Sequence, residues 1–157
     1  MDTPGFAPTP CGSHIEIHLP SGEWRSYSLV NRPNRAGPYS VAVQTGNSHG
    51  AQWLTQDLSL GQQVKIRGPH HSFHLVDDAA PVLLVAGGIG ITPFLAMLEA
   101  LQEAGRDWRL VYAVRSRDQA AFLQALQGFG SRVQIHADDE MGAFLSLPEV
   151  LDSAQPG

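Results

Sequence analysis

The chain is 157 residues long and 43% hydrophobic, enough for one ordinary domain or two small ones. Its net charge of −5, with Lys and Arg scattered, argues against a nucleic-acid partner, and no apolar stretch approaches the roughly 20 residues that span a bilayer. The first twelve residues lack the basic start and apolar core of a secretory signal, and the single cysteine, Cys11, excludes a disulfide within the chain and a cysteine-ligated zinc or iron–sulfur site. A cytoplasmic location is the default expectation, with neither membrane nor nucleic acid as partner.

Up to about residue 80 the pattern is one of short strands. His14-Ile15-Glu16-Ile17-His18-Leu19 alternates polar and apolar residues, as a half-buried strand does. Pro20-Ser21-Gly22 reads as a turn, 25–31 as a second strand, 33–38 as a loop and 39–44 as a third strand. Residues 53–58 fit one short helical turn, 63–67 a fourth strand and 73–75 a short fifth. Short strands separated by turn residues predict a small antiparallel barrel.

Beyond Pro81 the rhythm changes. Residues 82–86 read as a buried-type strand. A helix is predicted over 92–104: Thr92 can cap it, Pro93 suits its first turn, Gly105 follows it, and Phe94, Met97, Leu98 and Leu101 share one face. Residues 108–114 are the next strand, Asp118 can cap a helix to about residue 126, and 132–136 are a third strand. This alternation implies a parallel sheet with right-handed crossovers. The fold class is therefore β followed by α/β: an antiparallel barrel over 1–78 and a parallel-sheet domain over 79–157, divided near Asp77-Asp78-Ala79-Ala80-Pro81.

Two motifs carry chemistry. In VLLVAGGIGITPF, Val82 to Phe94, a strand turns on Gly87, Gly88 and Gly90 into a helix. Such a turn gathers unpaired backbone N–H groups and a positive dipole end at one point, which suits a phosphate. It is not the G-x-G-x-x-G fingerprint, so a different loop geometry is expected. The alternative is a tight turn that binds nothing, for which three glycines in four residues are a costly construction. In Arg25-Ser26-Tyr27-Ser28-Leu29, Arg25, Tyr27 and Leu29 fall on one strand face and the serines on the other. Alone, that motif reads as an amphipathic strand with a surface arginine.

Together, R-x-Y-S-L and, about 60 residues later, a strand followed by G-G-I-G-I-T-P resemble the ferredoxin reductase-like flavoproteins. The resemblance is closer to the phthalate dioxygenase reductase and vanillate demethylase reductase group. It runs from about Gly12 to about Gly142, with further matches at Gly12-Ser13-His14-Ile15, Tyr39-Ser40-Val41-Ala42-Val43, Gly68-Pro69 with Phe73-His74-Leu75, Tyr112 with Arg115-Ser116, and His136-Ala137-Asp138-Asp139. It implies a flavin-binding barrel over 1–78 and a nicotinamide nucleotide domain over 79–157.

On the matching positions it implies that Arg25 contacts the flavin phosphate as a fixed planar cation. Tyr27 would pack along the flavin and its ribityl chain, and Ser28 would set its hydroxyl near N5, the hydride acceptor; these two are the candidate catalytic residues. Leu29 completes that motif. Gly50, Ala51 and Gln52 stand in the stretch that helps hold the flavin phosphate. Gly87, Gly88, Gly90 and Thr92, with Pro93, would hold the nicotinamide cofactor's pyrophosphate, and Arg115 and Ser116 would meet its adenosine ribose. Catalysis is then mostly positioning, with reacting atoms brought within roughly 3–3.5 Å. FMN is the implied flavin, with FAD the alternative.

The sequence departs from the family in places. Gln52 stands where a serine is expected and Gln44 where a basic residue often follows the third strand, which weakens the hold on phosphate. The chain reaches Gln155-Pro156-Gly157 without the family's C-G-P motif, and the four cysteines of a plant-type [2Fe–2S] domain are not in this sequence. The barrel looks short by about one N-terminal strand. Truncation at both ends is therefore expected, with an incomplete barrel, a partial nucleotide domain and weaker solubility or partner-dependent stability.

His14, Glu16 and His18 share a strand face and could bind metal, but a polar solvent face is the preferred reading. His70-His71-Ser72-Phe73-His74 reads as a polar loop, and His136, Asp138 and Asp139 as cofactor-side or loop residues. No metal site is expected. Arginines in Arg115-Ser116-Arg117 could grip a 2′-phosphate and favour NADPH, whereas nearby Asp118 favours NADH, the cofactor to which the resemblance leans.

The expected function is an NAD(P)H-dependent flavin oxidoreductase, the reductase component that passes electrons from nicotinamide through flavin to an iron–sulfur protein or oxygenase component. The alternative is a truncated non-catalytic remnant or flavin- or nucleotide-binding module. An unrelated phosphate-binding hydrolase lacks a nucleophile–base pair.

Overall fold

The alternation that begins at Ser13 becomes β1, Ser13–His18, with Ser13, Ile15 and Ile17 buried and His14, Glu16 and His18 half-buried. The computed structural model describes residues 9–31, 38–76 and 78–153. Gly22, at φ +87°, turns the chain back, and β2, Trp24–Ser28, runs antiparallel to β1 with Ile17 opposite Arg25 and Ile15 opposite Tyr27. β3, Ile66–His71, pairs with the other edge of β1, and its register slips between His14 and Glu16. The order is β2-β1-β3. Ile15, Ile17 and Leu29 form the core of this sheet, with Tyr27, Tyr39, Val41, Trp53, Leu54 and Ile66 packed around them. Each fully buried aliphatic side chain contributes about 1.5–3 kcal/mol.

Among the described residues this sheet has three strands and does not close into a barrel. The expected third strand, 39–44, makes only one bridge, Val41 with Leu29. Asn31 explains why pairing stops there. Its side chain donates to the Pro38 carbonyl at 2.8 Å and accepts from the Ser40 N–H at 2.9 Å, taking backbone groups that a ladder would use. The strand expected over 63–67 begins at Ile66 and runs on to His71, and 73–75 form no strand. Most of the loop expected over 33–38, and Asp77 at the expected boundary, lie outside the described residues.

The helical turn expected over 53–58 is longer. Ser48 caps α1, His49–Gln52, accepting from the Ala51 N–H at 3.3 Å. The chain continues as a π turn, Trp53–Asp57, closed by the Leu58 N–H on the Trp53 carbonyl at 2.9 Å. The Thr55 hydroxyl donates back to the Ala51 carbonyl at 2.7 Å, a local bond that competes with regular α-helix.

By contact density the chain divides into Met1–Asp77 with Thr92–Ala100, and Asp78–Ile91 with Leu101–Gly157. In the first unit Gly12, at φ +83°, is held close: a Cβ there would lie 2.0 Å from the Phe73 carbonyl oxygen and 2.6 Å from Met97 Cε.

The second unit carries a parallel sheet in the order β4-β5-β6: β4, Val82–Gly87, β5, Trp108–Val114, and β6, Val133–Ala137. Arg106 pins the approach to β4, donating to Asp78 at 3.2 Å and to the Ala80 carbonyl at 3.0 Å. Leu84, Ala86, Trp108, Leu110, Val111, Tyr112 and Val114 are buried, so β5 is the hydrophobic centre. β4 leads through a 3₁₀ turn, Gly88–Ile91, into α2, Thr92–Glu103, whose Phe94, Met97, Leu98 and Leu101 are all buried as the 3.6 period requires. The helix expected from Asp118 is instead a 3₁₀ turn, Arg117–Gln119, and a separate short helix, α3, Leu123–Gln127. Phe122 lies between them at φ +62°, a left-handed conformation that a continuous helix cannot contain. After β6 come α4, Asp138–Met141, and α5, Leu147–Ser153. Parallel pairing gathers the carboxyl ends of the three strands, Gly87, Val114 and Ala137, at one end of the sheet.

Candidate functional site

Arg25 and Tyr27 are two residues apart on β2 and so face the same way. They open on a cavity of about 370 Å³ that Gly50 and Ala51 also line, together with Ser21, Glu23, Ser48 and His49. Four residues singled out from two separate sequence segments thus meet at one place. The Ser48 cap holds the Gly50-Ala51 backbone there. At Gly50 a Cβ would come within 2.6 Å of Leu19 Cδ1, so a larger residue there would make the Leu19 side chain shift. The Arg25 guanidinium reaches the Glu23 carboxylate at 3.1 Å, with both side chains more than half exposed. Burial pushes the Tyr27 phenol up from its ordinary range and neighbouring Arg25 partly offsets this, so the hydroxyl is neutral at physiological pH.

The rest of the motif lies elsewhere in this unit. Ser28 pairs with His14 in the ladder and does not line that cavity. Leu29 is buried in the core, its N–H donating to the Ser13 carbonyl at 2.9 Å. Gln52 lines a neighbouring cavity of about 410 Å³ with Trp53 and Asp57, and the two cavities share Ser21, His49 and Gly50.

In the second unit Gly87 closes β4, and Gly88, at φ +51°, starts the 3₁₀ turn. The 3₁₀ turn thus precedes the expected cap at Thr92, which is the buried first residue of α2 and is followed by Pro93. A Cβ added at Gly87, Gly88 or Gly90 would meet nothing within 4 Å. Neither packing nor, at 87 and 90, a positive φ demands glycine, so these positions leave open backbone that a ligand can approach. Tyr112, fully buried on β5, donates its hydroxyl to the Gly88 carbonyl at 3.0 Å and accepts the Ala121 N–H at 3.1 Å.

Arg115 and Ser116 follow β5 directly; the Arg115 carbonyl accepts the Asp139 N–H at 3.1 Å, and Ser116 precedes the 3₁₀ turn in extended backbone. Arg117 grips Glu140 with two bonds of 2.7 Å. His136 donates through Nε2 to the Ala143 carbonyl at 2.9 Å and lies 3.4 Å from Asp138. On the first sheet Glu16 lies 3.7 Å from His70. Among the described residues no group of three or more His, Cys, Asp or Glu is placed to hold a metal ion, and no helix is long and apolar enough to cross a membrane.

Residues 7–75 match the family model described as oxidoreductase FAD-binding domain, and 84–137 the one described as oxidoreductase NAD-binding domain. The chain belongs to the ferredoxin reductase-like oxidoreductases, in the phthalate dioxygenase reductase group. It is 38% identical over 155 residues to the phenoxybenzoate dioxygenase subunit beta of Ectopseudomonas oleovorans, covering 98% of this chain and 49% of that protein. To the vanillate O-demethylase oxidoreductase of Pseudomonas putida it is 37% identical over 148 residues, covering 92% of this chain and 47% of the relative. The solved structure of phthalate dioxygenase reductase, described as modular for electron transfer from pyridine nucleotides to [2Fe–2S], superposes with a TM-score of 0.83 at 34% identity, covering 98% of this chain and 50% of that one. The chain spans about half the length of these relatives.

Sequence reasoning missed Glu23, Ser48 and His49 at the first cavity, and the bridging role of Tyr112. Ser48 was legible as a serine just ahead of a short helical segment. In the sequence Tyr112 is legible only as a family match, because nothing there says which carbonyl a buried phenol will reach.

Proposed function

We propose that this chain is the flavin- and nicotinamide-binding core of an oxygenase-system reductase, moving electrons from NADH through FMN toward an iron–sulfur protein or oxygenase component. The observation that carries the reading is the convergence of Arg25, Tyr27, Gly50 and Ala51 on one cavity. The two matched domains and the relatives' names support it. Residues 1–78 form the flavin domain and 79–157 the nicotinamide domain in this reading.

Bound flavin supplies the chemistry: it takes two electrons as hydride and passes them on singly. The protein supplies positions. Arg25 pairs with the flavin phosphate, displacing Glu23, while Gly50 and Ala51 line the same cavity and Gln52 presents its amide from the adjoining one. Tyr27, neutral and half-buried, offers an apolar ring face to the flavin, and Leu29 supports the strand from the core. On the family resemblance Ser28 sets its hydroxyl toward the reacting edge, from outside the cavity that Arg25 and Tyr27 line. The open backbone at Gly87, Gly88 and Gly90, with Thr92 and Pro93 at the start of α2, receives the pyrophosphate of NADH. Arg115 and Ser116 meet its ribose. The reading puts the protein in the cytoplasm.

The test is the visible spectrum of the purified chain with added FMN, before and after anaerobic NADH. A bound flavin band that bleaches with NADH is expected; a protein that takes up no FMN overturns the reading.

A further inference from the structure

The carboxyl end of the second strand in a parallel nucleotide-binding sheet is where the adenosine ribose is met, and there an arginine accommodates a 2′-phosphate while an acid suits a 2′-hydroxyl. Here that end carries Arg115, Ser116 and Arg117, a sequence that by itself offers two cations to a phosphate. One of them is already taken. Arg117 donates through Nε to one Glu140 oxygen and through Nη2 to the other, both at 2.7 Å. This two-point fork matches guanidinium to carboxylate in the same way that it would match a phosphate.

Glu140 reaches Arg117 from α4, the short helix that follows β6. The backbone fixes the two segments together: the Asp139 N–H donates to the Arg115 carbonyl at 3.1 Å, and the Gly142 N–H closes α4 on the Asp138 carbonyl at 2.9 Å. The pair is about half exposed, 49% at Arg117 and 46% at Glu140, so a ligand can reach it and salt can weaken it. Asp139 on α4 adds negative charge beside the fork.

We propose that Glu140 selects against NADPH by occupying the fork of Arg117, so that the site takes a cofactor with a free 2′-hydroxyl. A 2′-phosphate entering here must displace one carboxylate and then sit beside it unpaired, which is selection by repulsion as much as by occupation. The unphosphorylated ribose displaces nothing. Ion pairing with Arg117 holds the Glu140 carboxyl below its usual range, so the discriminating charge persists at every pH at which the reductase would work. The proposal rests on the nicotinamide reading of the second unit.

Calorimetric titration of the full chain with NADH and with NADPH, at low and high salt, tests it without requiring turnover. The wild-type chain is expected to bind NADH more tightly. Glu140→Gln is expected to tighten NADPH about tenfold, the scale of one charge-assisted hydrogen bond, with NADH unchanged. That gain should vanish at high salt and in the Glu140→Gln, Arg117→Gln double variant. An NADH preference that Glu140→Gln leaves untouched overturns the proposal, as does a wild-type preference for NADPH or a gain that survives loss of Arg117. A chain that binds neither nucleotide overturns the nicotinamide reading itself, and the proposal with it.

Discussion

Tyr112 and Gly88 are joined by a hydrogen bond of 3.0 Å, from the phenol hydroxyl to the backbone carbonyl that opens the glycine turn. The same oxygen accepts the Ala121 N–H at 3.1 Å, so one side chain ties the turn after β4 to the segment that follows β5. Both partners are backbone groups, and the ring is fully buried. Tyr112→Phe keeps the packing and removes both bonds. It should cost about 1–3 kcal/mol, because a carbonyl and an amide lose their partner. Urea unfolding measures that cost. Nicotinamide nucleotide affinity should fall as well if, as proposed, this turn receives the pyrophosphate, because it loses its tether. A variant as stable as wild type would show that water takes over both bonds.

The same phenol sets an alkaline limit. Burial raises the Tyr112 pKa above the ordinary phenol range, and the bond from Ala121 offsets only part of this. A raised folded-state value means that the unfolded chain loses its proton first as pH climbs. The folded state then holds more protons, and stability falls with rising pH. The contribution is complete below the ordinary phenol pKa and is lost as pH passes through the raised value. Tyr27 shifts in the same direction from its own burial. An alkaline titration followed by phenolate absorbance should therefore lag in the folded chain relative to the chain in urea. Coincident curves would remove the burial argument for both tyrosines.

Glu23 and Arg25 make a second testable pair, at the mouth of the cavity in the first unit. If Arg25 takes a flavin phosphate, Arg25→Gln should weaken FMN about tenfold or more while leaving riboflavin, which lacks the phosphate, unaffected. Glu23→Gln should act in the opposite direction, because it frees the guanidinium from a competing carboxylate. Equilibrium dialysis with the two flavins measures both variants. Equal losses for FMN and riboflavin would assign Arg25 to the cavity's shape instead of to phosphate.

The parts of the fold legible in the sequence were those in which one local signal decides the element. Trp108–Val114 is an apolar run broken only by Arg109 and bounded by Gly105 and Ser116, and the strand has the expected ends. Thr92–Glu103 follows from the period of Phe94, Met97, Leu98 and Leu101 with Gly105 behind it. What failed depends on partners distant in sequence. Tyr39 to Val43 has strand composition, but a strand needs a ladder, and Asn31 takes the backbone groups that would extend it. The start of β3 at Ile66 is set by the slipped register with β1. The break at Phe122 is a single left-handed residue that no side-chain pattern announces. At the candidate sites the residue types were legible, whereas their mutual contacts, such as Arg117 with Glu140, come from a 3₁₀ turn and a short helix that the parallel sheet brings together.

The glycine turn separates binding from folding at single residues. Gly88 sits at φ +51°, so Gly88→Ala forces an L-residue into the left-handed region and should cost about 1–2 kcal/mol of stability whatever the turn binds. Gly90 has no positive φ, and a Cβ there meets nothing within 4 Å. Gly90→Ala should accordingly leave the fold intact and even stabilise it by about 0.4–1 kcal/mol, because the unfolded chain loses freedom. The added methyl group nevertheless enters the space through which a pyrophosphate would approach the backbone. The expected signature is a thermal midpoint at or above wild type together with weakened NADH binding. A Gly90→Ala chain that binds NADH as wild type does would place the pyrophosphate away from this turn, and Gly87→Ala, at the end of β4 with equally open space around its Cβ, would then show whether any part of the turn is used.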